Sequence, residues 1–284
     1  MVSRNALRWT LATLALLGAS SVSAGPINFT GFVENDFNSE DDSVKVIQGA
    51  PDPLNRIVQM PEMTAQGIIN GYALKDMRLS YDYQSDRLYV GLNTYSIAGN
   101  AIGNGGADLA NRLNQLGGVD PANLGGNKSI TVGIAGKNLN DSLKPGSTVL
   151  LAGVPADKAY AGSGLNGFTV TSYVNRGGIQ NSYGSQLPNH QGTLAFSPSA
   201  AHPGFEFTIE NFSKISPNLL DPAQGFWIRA YLGSPNDNPI GEESTAYMFV
   251  PSFGPQVPEP ATLLSWTVVA AAAGALRLRR RRVA

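Results

Sequence analysis

KDMRLSYDYQSDRLYVGLNTY, residues 75–95, reads as two strands around a turn. Met77, Leu79, Tyr81 and Tyr83 alternate with polar neighbours, and Leu88, Val90 and Leu92 do the same beyond Gln84-Ser85-Asp86-Arg87. Successive side chains of an extended chain point to opposite faces. Period-two alternation on both sides of a polar turn therefore predicts an antiparallel hairpin with one apolar face.

Further strand-like runs lie at 129–135, 147–152, 167–174, 192–196, 205–210, 225–233 and 245–250, punctuated by Pro, Gly, Asn and Asp. Within 205–210, Phe205, Phe207 and Ile209 oppose Glu206, Thr208 and Glu210. Glu206 and Glu210 then share a face two pleats apart, about 13 Å. That is too far for the paired carboxylates of glycoside hydrolysis, and the expectation is a solvent-facing ladder. From Trp227 to Leu232 the alternation is weaker, which suits a central strand. Eight or more short strands with little helix predict an all-β fold, an antiparallel β-sandwich of the jelly-roll or immunoglobulin-like kind. One short helix is expected at 108–116, where Leu109, Leu113 and Leu116 fall at helical spacing in a Gly- and Asn-rich excursion. Residues 25–49 and 251–256 read as the edges of the folded body.

Composition narrows the chemistry. There is no cysteine, so thiol chemistry and Cys-type zinc sites are excluded and the core must suffice without disulfides. Of 20 Lys and Arg, two precede residue 25 and five follow residue 276, leaving 13 against all 21 Asp and Glu, a body of net charge about −8. A field of that sign argues against nucleic acid and anionic lipid as partners. The two histidines, His190 and His202, sit in proline-containing loop sequence without metal-ligand spacing. No Gly-x-Ser-x-Gly occurs. Asp36-Phe37-Asn38-Ser39-Glu40-Asp41-Asp42 gathers hard oxygen ligands and admits calcium as the one cofactor in view, though it lacks the EF-hand spacing. Residues 100–108 carry a single carboxylate and no phosphate-loop ending. Tyr72, Tyr81, Tyr83, Tyr89, Tyr95, Trp227 and Tyr231 are candidate sugar-stacking rings, or equally core and cross-strand partners. No residue stands out as catalytic.

The two ends are the most specific part of the chain. Arg4 and Arg8 precede an apolar run, and small residues end at Val22-Ser23-Ala24, the layout of a secretory signal over residues 1–24 cut between Ala24 and Gly25. At the other end 261–276 has no charge, about 24 Å of helix, and predicts a transmembrane helix. Arg277, Arg279, Arg280, Arg281 and Arg282 follow it at once and would stay on the cytoplasmic side as a membrane stop. Just ahead stand Pro258, Glu259 and Pro260, where two prolines without amide donors keep the chain extended.

Pro-Glu-Pro, apolar helix and Arg-rich terminus in that order resemble the PEP-CTERM sorting signal, over residues 257–284 only. The resemblance implies that an exosortase-type membrane protease-transpeptidase acts at Pro258-Glu259-Pro260, after the secretion machinery has exported the body and the tail has entered the inner membrane. It implies release to, or attachment at, the surface of a bacterium that makes exopolysaccharide. The hairpin phrase is similar to the strand-turn-strand of extracellular sandwich modules related to carbohydrate-binding domains, over about twenty residues. The organisation expected is therefore signal peptide 1–24, β-sandwich body 25–256 and sorting tail 257–284. The function expected is that of an exported surface or matrix protein, structural or adhesive in a biofilm, and not an enzyme. The alternatives are a carbohydrate-binding module for extracellular polysaccharide and a secreted hydrolase.

Overall fold

A computed structural model of the protein describes residues 26–49, 71–99, 129–156, 167–233 and 242–253. These form two antiparallel sheets. The smaller is built from β1 Val44–Gln48, β2 Leu74–Asp82, β3 Arg87–Thr94 and β8 Phe205–Glu210, side by side in the order β1-β2-β3-β8. The larger comprises β4 Ser129–Lys137, β5 Pro145–Val154, β6 Thr169–Tyr173, β7 Tyr183–Gln186, β9 Phe226–Gly233, β10 Glu242–Ser244 and β11 Met248–Val250. Strands β4 to β7 meander in sequence order, while β9 returns to lie beside β4 and takes both β10 and β11 on its far side. The weakly alternating run at 227–232 is thus flanked by neighbours on both sides.

The hairpin closes in the expected register, with Tyr81 opposite Leu88 and Leu79 opposite Val90. Met77, Leu79, Leu88, Val90, Phe205 and Phe207 of the smaller sheet share one buried core with Ile130, Val132, Ile134, Leu150, Ile228 and Leu232 of the larger. The turn is fixed from outside the hairpin. Asp86 takes the left-handed conformation at φ +53°. Its carboxylate accepts from the Tyr81 hydroxyl at 2.5 Å and from the Ser213 amide and hydroxyl at 2.9 Å each. The hairpin tip is thereby tied to the turn that follows β8.

Two expected strands change form. Residues 192–196 run beside β8 through a single bridge, Leu194 to Phe207. The run expected at 245–250 shortens to β11, and β10 ends before it at Ser244. Between the two, the Thr245 hydroxyl accepts the Ala230 amide at 2.9 Å and takes a ladder position. The helix expected at 108–116 and the transmembrane helix at 261–276 lie outside the described residues. No helix among the described residues is long and apolar enough to cross a membrane.

Residues 26–48, expected at the edge of the 25–256 body, cover a sheet face and supply an edge strand. After Gly31 a single helical turn, α1 Val33–Asp36, packs on the outer face of the smaller sheet, and β1 then pairs with β2. Val33, Phe37, Val44 and Tyr89 form a second apolar cluster there, with Ile27, Phe29 and Val46 packed on it. Gly91 of β3 makes the approach possible, since a Cβ there would lie 2.8 Å from both Phe37 Cε2 and Val33 Cγ1. Burying Val33 and Phe37 contributes about 1.5–3 kcal/mol each. The face that alternation assigned to solvent is covered.

Candidate functional site

The processing residues Ala24, Gly25, Pro258, Glu259 and Pro260, and the membrane-stop residues Arg277, Arg279, Arg280, Arg281 and Arg282, lie outside the described residues. The sites that the structure describes are on the sandwich.

The first lies under and beside the N-terminal segment. The polar residues of the smaller sheet's outer face hold that segment by its backbone. Arg78 donates to the carbonyls of Phe37 at 2.8 Å and Glu34 at 3.3 Å, and is itself held by Asp76 at 3.0 Å. Asn93 bridges Glu34 and Asp76, and Lys75 pairs with Glu34. These partners hold the Glu34 carboxyl below the usual carboxylate range, the Lys75 hydrogen bond most of all. A notch of about 150 Å³ opens between α1 and the end of β3, lined by Phe32, Glu34, Asn35, Asn93, Thr94 and Pro203 among others.

Glu206 is the unexpected member of this region. It is 1% exposed rather than solvent-facing, because the segment around Gly31 lies over it. Its Oε2 accepts the Gly31 amide at 2.8 Å, while Oε1 faces no donor. Burial, and then the neighbouring Asp36 carboxylate, push its pKa up to about 8. A protonated Oε1 becomes a donor with Asp36 as the acceptor at hand, which removes the orphan. Glu210, at the end of the same strand face, pairs with Arg87 at 2.8 Å. The two carboxylates therefore have separate partners, Gly31 and Arg87.

Both histidines fasten loops. His202 stacks on Phe196 with ring centroids 3.9 Å apart, and its Nδ1 lies 2.8 Å from the Thr30 carbonyl. His190 Nδ1 lies 3.1 Å from the carbonyls of Glu210 and Asn211. A carbonyl only accepts, so Nδ1 carries the proton in each. In the acidic segment the side chains cap local turns: Asp36 accepts from Thr30, Asn38 from the Glu40 amide and Asp41 from the Ser43 amide. Among the described residues no three His, Cys, Asp or Glu converge as metal ligands.

The second site is the outer face of the larger sheet. Of the candidate rings, Tyr72, Tyr81, Tyr89 and Tyr231 are buried, and Tyr83 and Tyr95 are exposed. Trp227 lies half-buried beside Phe249 with centroids 5.3 Å apart, and Phe249 is 41% exposed. One pleat along β9, the Arg229 guanidinium stands 5.3 Å from the Tyr247 ring, whose hydroxyl bonds Thr148 on β5. Burial pushes the Tyr247 phenol up. Arg229, Tyr247 and Phe249 carry no sequence motif. Their signal is the phase of β9, in which Phe226, Ile228 and Ala230 take the core and Trp227 and Arg229 are left outside.

No protein family, curated protein or solved structure compared with the chain matches it.

Proposed function

We propose that this is an exported surface or matrix protein whose tail is processed by an exosortase-type enzyme and whose sandwich acts as a structural or adhesive module. The observation that carries the reading is the tail itself: Pro258-Glu259-Pro260, an uncharged run at 261–276 as a membrane helix, and five arginines in six residues, in that order. The leader at 1–24 supports it from the other end. The body is compatible with this arrangement. Its described part extends from residue 26 to Phe253, and Phe253 packs in the core. Pro258 follows Phe253 by five residues.

Intact-mass analysis of the protein recovered from the native surface and medium tests the reading. A species from Gly25 to about Pro258 supports it. A species that retains 261–284 means an ordinary membrane anchor and defeats it.

A second reading, a carbohydrate-binding module, is favoured by the Trp227–Phe249 ring pair beside Arg229 on an outer sheet face. Rings of this kind stack on the apolar faces of sugars.

A further inference from the structure

We propose that the outer face of the larger sheet around Arg229 binds an anionic saccharide of the uronate type, with a carboxylate on the Arg229 guanidinium and a sugar ring against Trp227 and Phe249. This names a ligand class for the carbohydrate-binding reading and rests on it.

The charge pattern is the first argument. Among the described residues Lys75, Arg78, Arg87, Lys144 and Lys214 pair with carboxylates, and Lys45 and Lys137 bond to a carbonyl or an amide. Neither Arg176 nor Arg229 has such a side-chain partner among them, but Arg176 is exposed while Arg229 is half-buried with its Nε shielded from water and without an acceptor. A half-buried guanidinium that no described carboxylate pairs with, in a body of net charge about −8, is open to an added anion.

Its placement is the second argument. Arg229 does not swing freely: the guanidinium lies against the Tyr247 ring, Tyr247 is anchored to Thr148, and the side-chain stem passes over Gly133, where a Cβ would stand 3.5 Å from Arg229 Cγ. A fixed, planar fork suits a carboxylate in two-point contact. The rings supply the remaining contact. Trp227 and Phe249 lie on paired residues of adjacent strands. A sugar presents an apolar ring face to stack on them.

The test uses the full chain, purified in mild detergent, with polygalacturonate, neutral dextran and polyglutamate as probes. The wild type should bind polygalacturonate, and more weakly as salt rises. Arg229→Gln should lose about tenfold or more in affinity, the equivalent of one charge-assisted contact, and Phe249→Ala should lose several-fold. Arg176→Gln, which removes an arginine from the loop between β6 and β7, should bind as the wild type. Thermal melts of the variants check that the fold survives. Equal affinity of Arg229→Gln and wild type overturns the inference. Equal binding of dextran leaves the carbohydrate-binding reading standing and removes the anionic class. Equal binding of polyglutamate reduces the face to an unselective anion patch and overturns it. Binding of no polysaccharide removes both readings.

Discussion

Replacing Glu206 with glutamine should change how stability depends on pH. Glu206 is 1% exposed, and its folded pKa of about 8 stands against an ordinary 4.5. Below about 4.5 the carboxyl is protonated both folded and unfolded, and its contribution is fully present. As the pH rises from there, the unfolded chain releases the proton while the folded chain keeps it, so stability falls until both forms are ionised above about 8. At about 1.4 kcal/mol per pKa unit, the gap between the two values sets a ceiling of about 5 kcal/mol. Glutamine keeps the shape: its oxygen can accept the Gly31 amide and its nitrogen can donate to Asp36. Urea unfolding at about pH 5, 7 and 9 should show Glu206→Gln within about 1 kcal/mol of wild type at the lowest pH and several kcal/mol more stable at the highest. Two profiles that run parallel across this range would refute the protonated clasp.

Three further outcomes are expected. Asp86→Ala removes the acceptor for Tyr81, for the Ser213 amide and for the Ser213 hydroxyl, and at about 1 kcal/mol each should cost about 3 kcal/mol in chemical denaturation. Gly31→Ala forces a side chain at φ +89° with its Cβ 2.5 Å from His202 Cβ, and should destabilise the fold by more than ~1 kcal/mol in chemical denaturation. Chelation with EDTA should leave the melting temperature of the full chain unchanged, since Asp36 and Asp41 already accept local donors; a fall of several degrees would place calcium in the acidic segment.

The hairpin is legible in the sequence because each side chain reports its own face. Met77, Leu79, Leu88 and Val90 carry the core signal in a strict period of two, and a register slip of one residue would expose them all. What covers the opposite face is not legible. Glu206, Arg78 and Asp76 read as solvent-facing polar residues, and nothing in a local window distinguishes water from the backbone of a distant segment as their partner. Gly31 and Glu206 meet across 175 residues of chain. The ring pair is half legible: Trp227 stands out by type, but Phe249 reaches it only through the pairing of β11 with β9.

The reach of the N-terminal segment also orders events in time. Residues 30–37 are synthesised before most of the body, yet the anchors of Thr30 and Gly31 at His202 and Glu206 follow 172 and 175 residues later. Contacts so far apart in sequence form late, after the entropy of closing the intervening loop has been overcome. The anchoring of Thr30 and Gly31 is therefore expected as a closing step of folding, after β8 has joined the smaller sheet. If docking of the segment closes the fold, its amides should exchange ahead of those in β4 and β9.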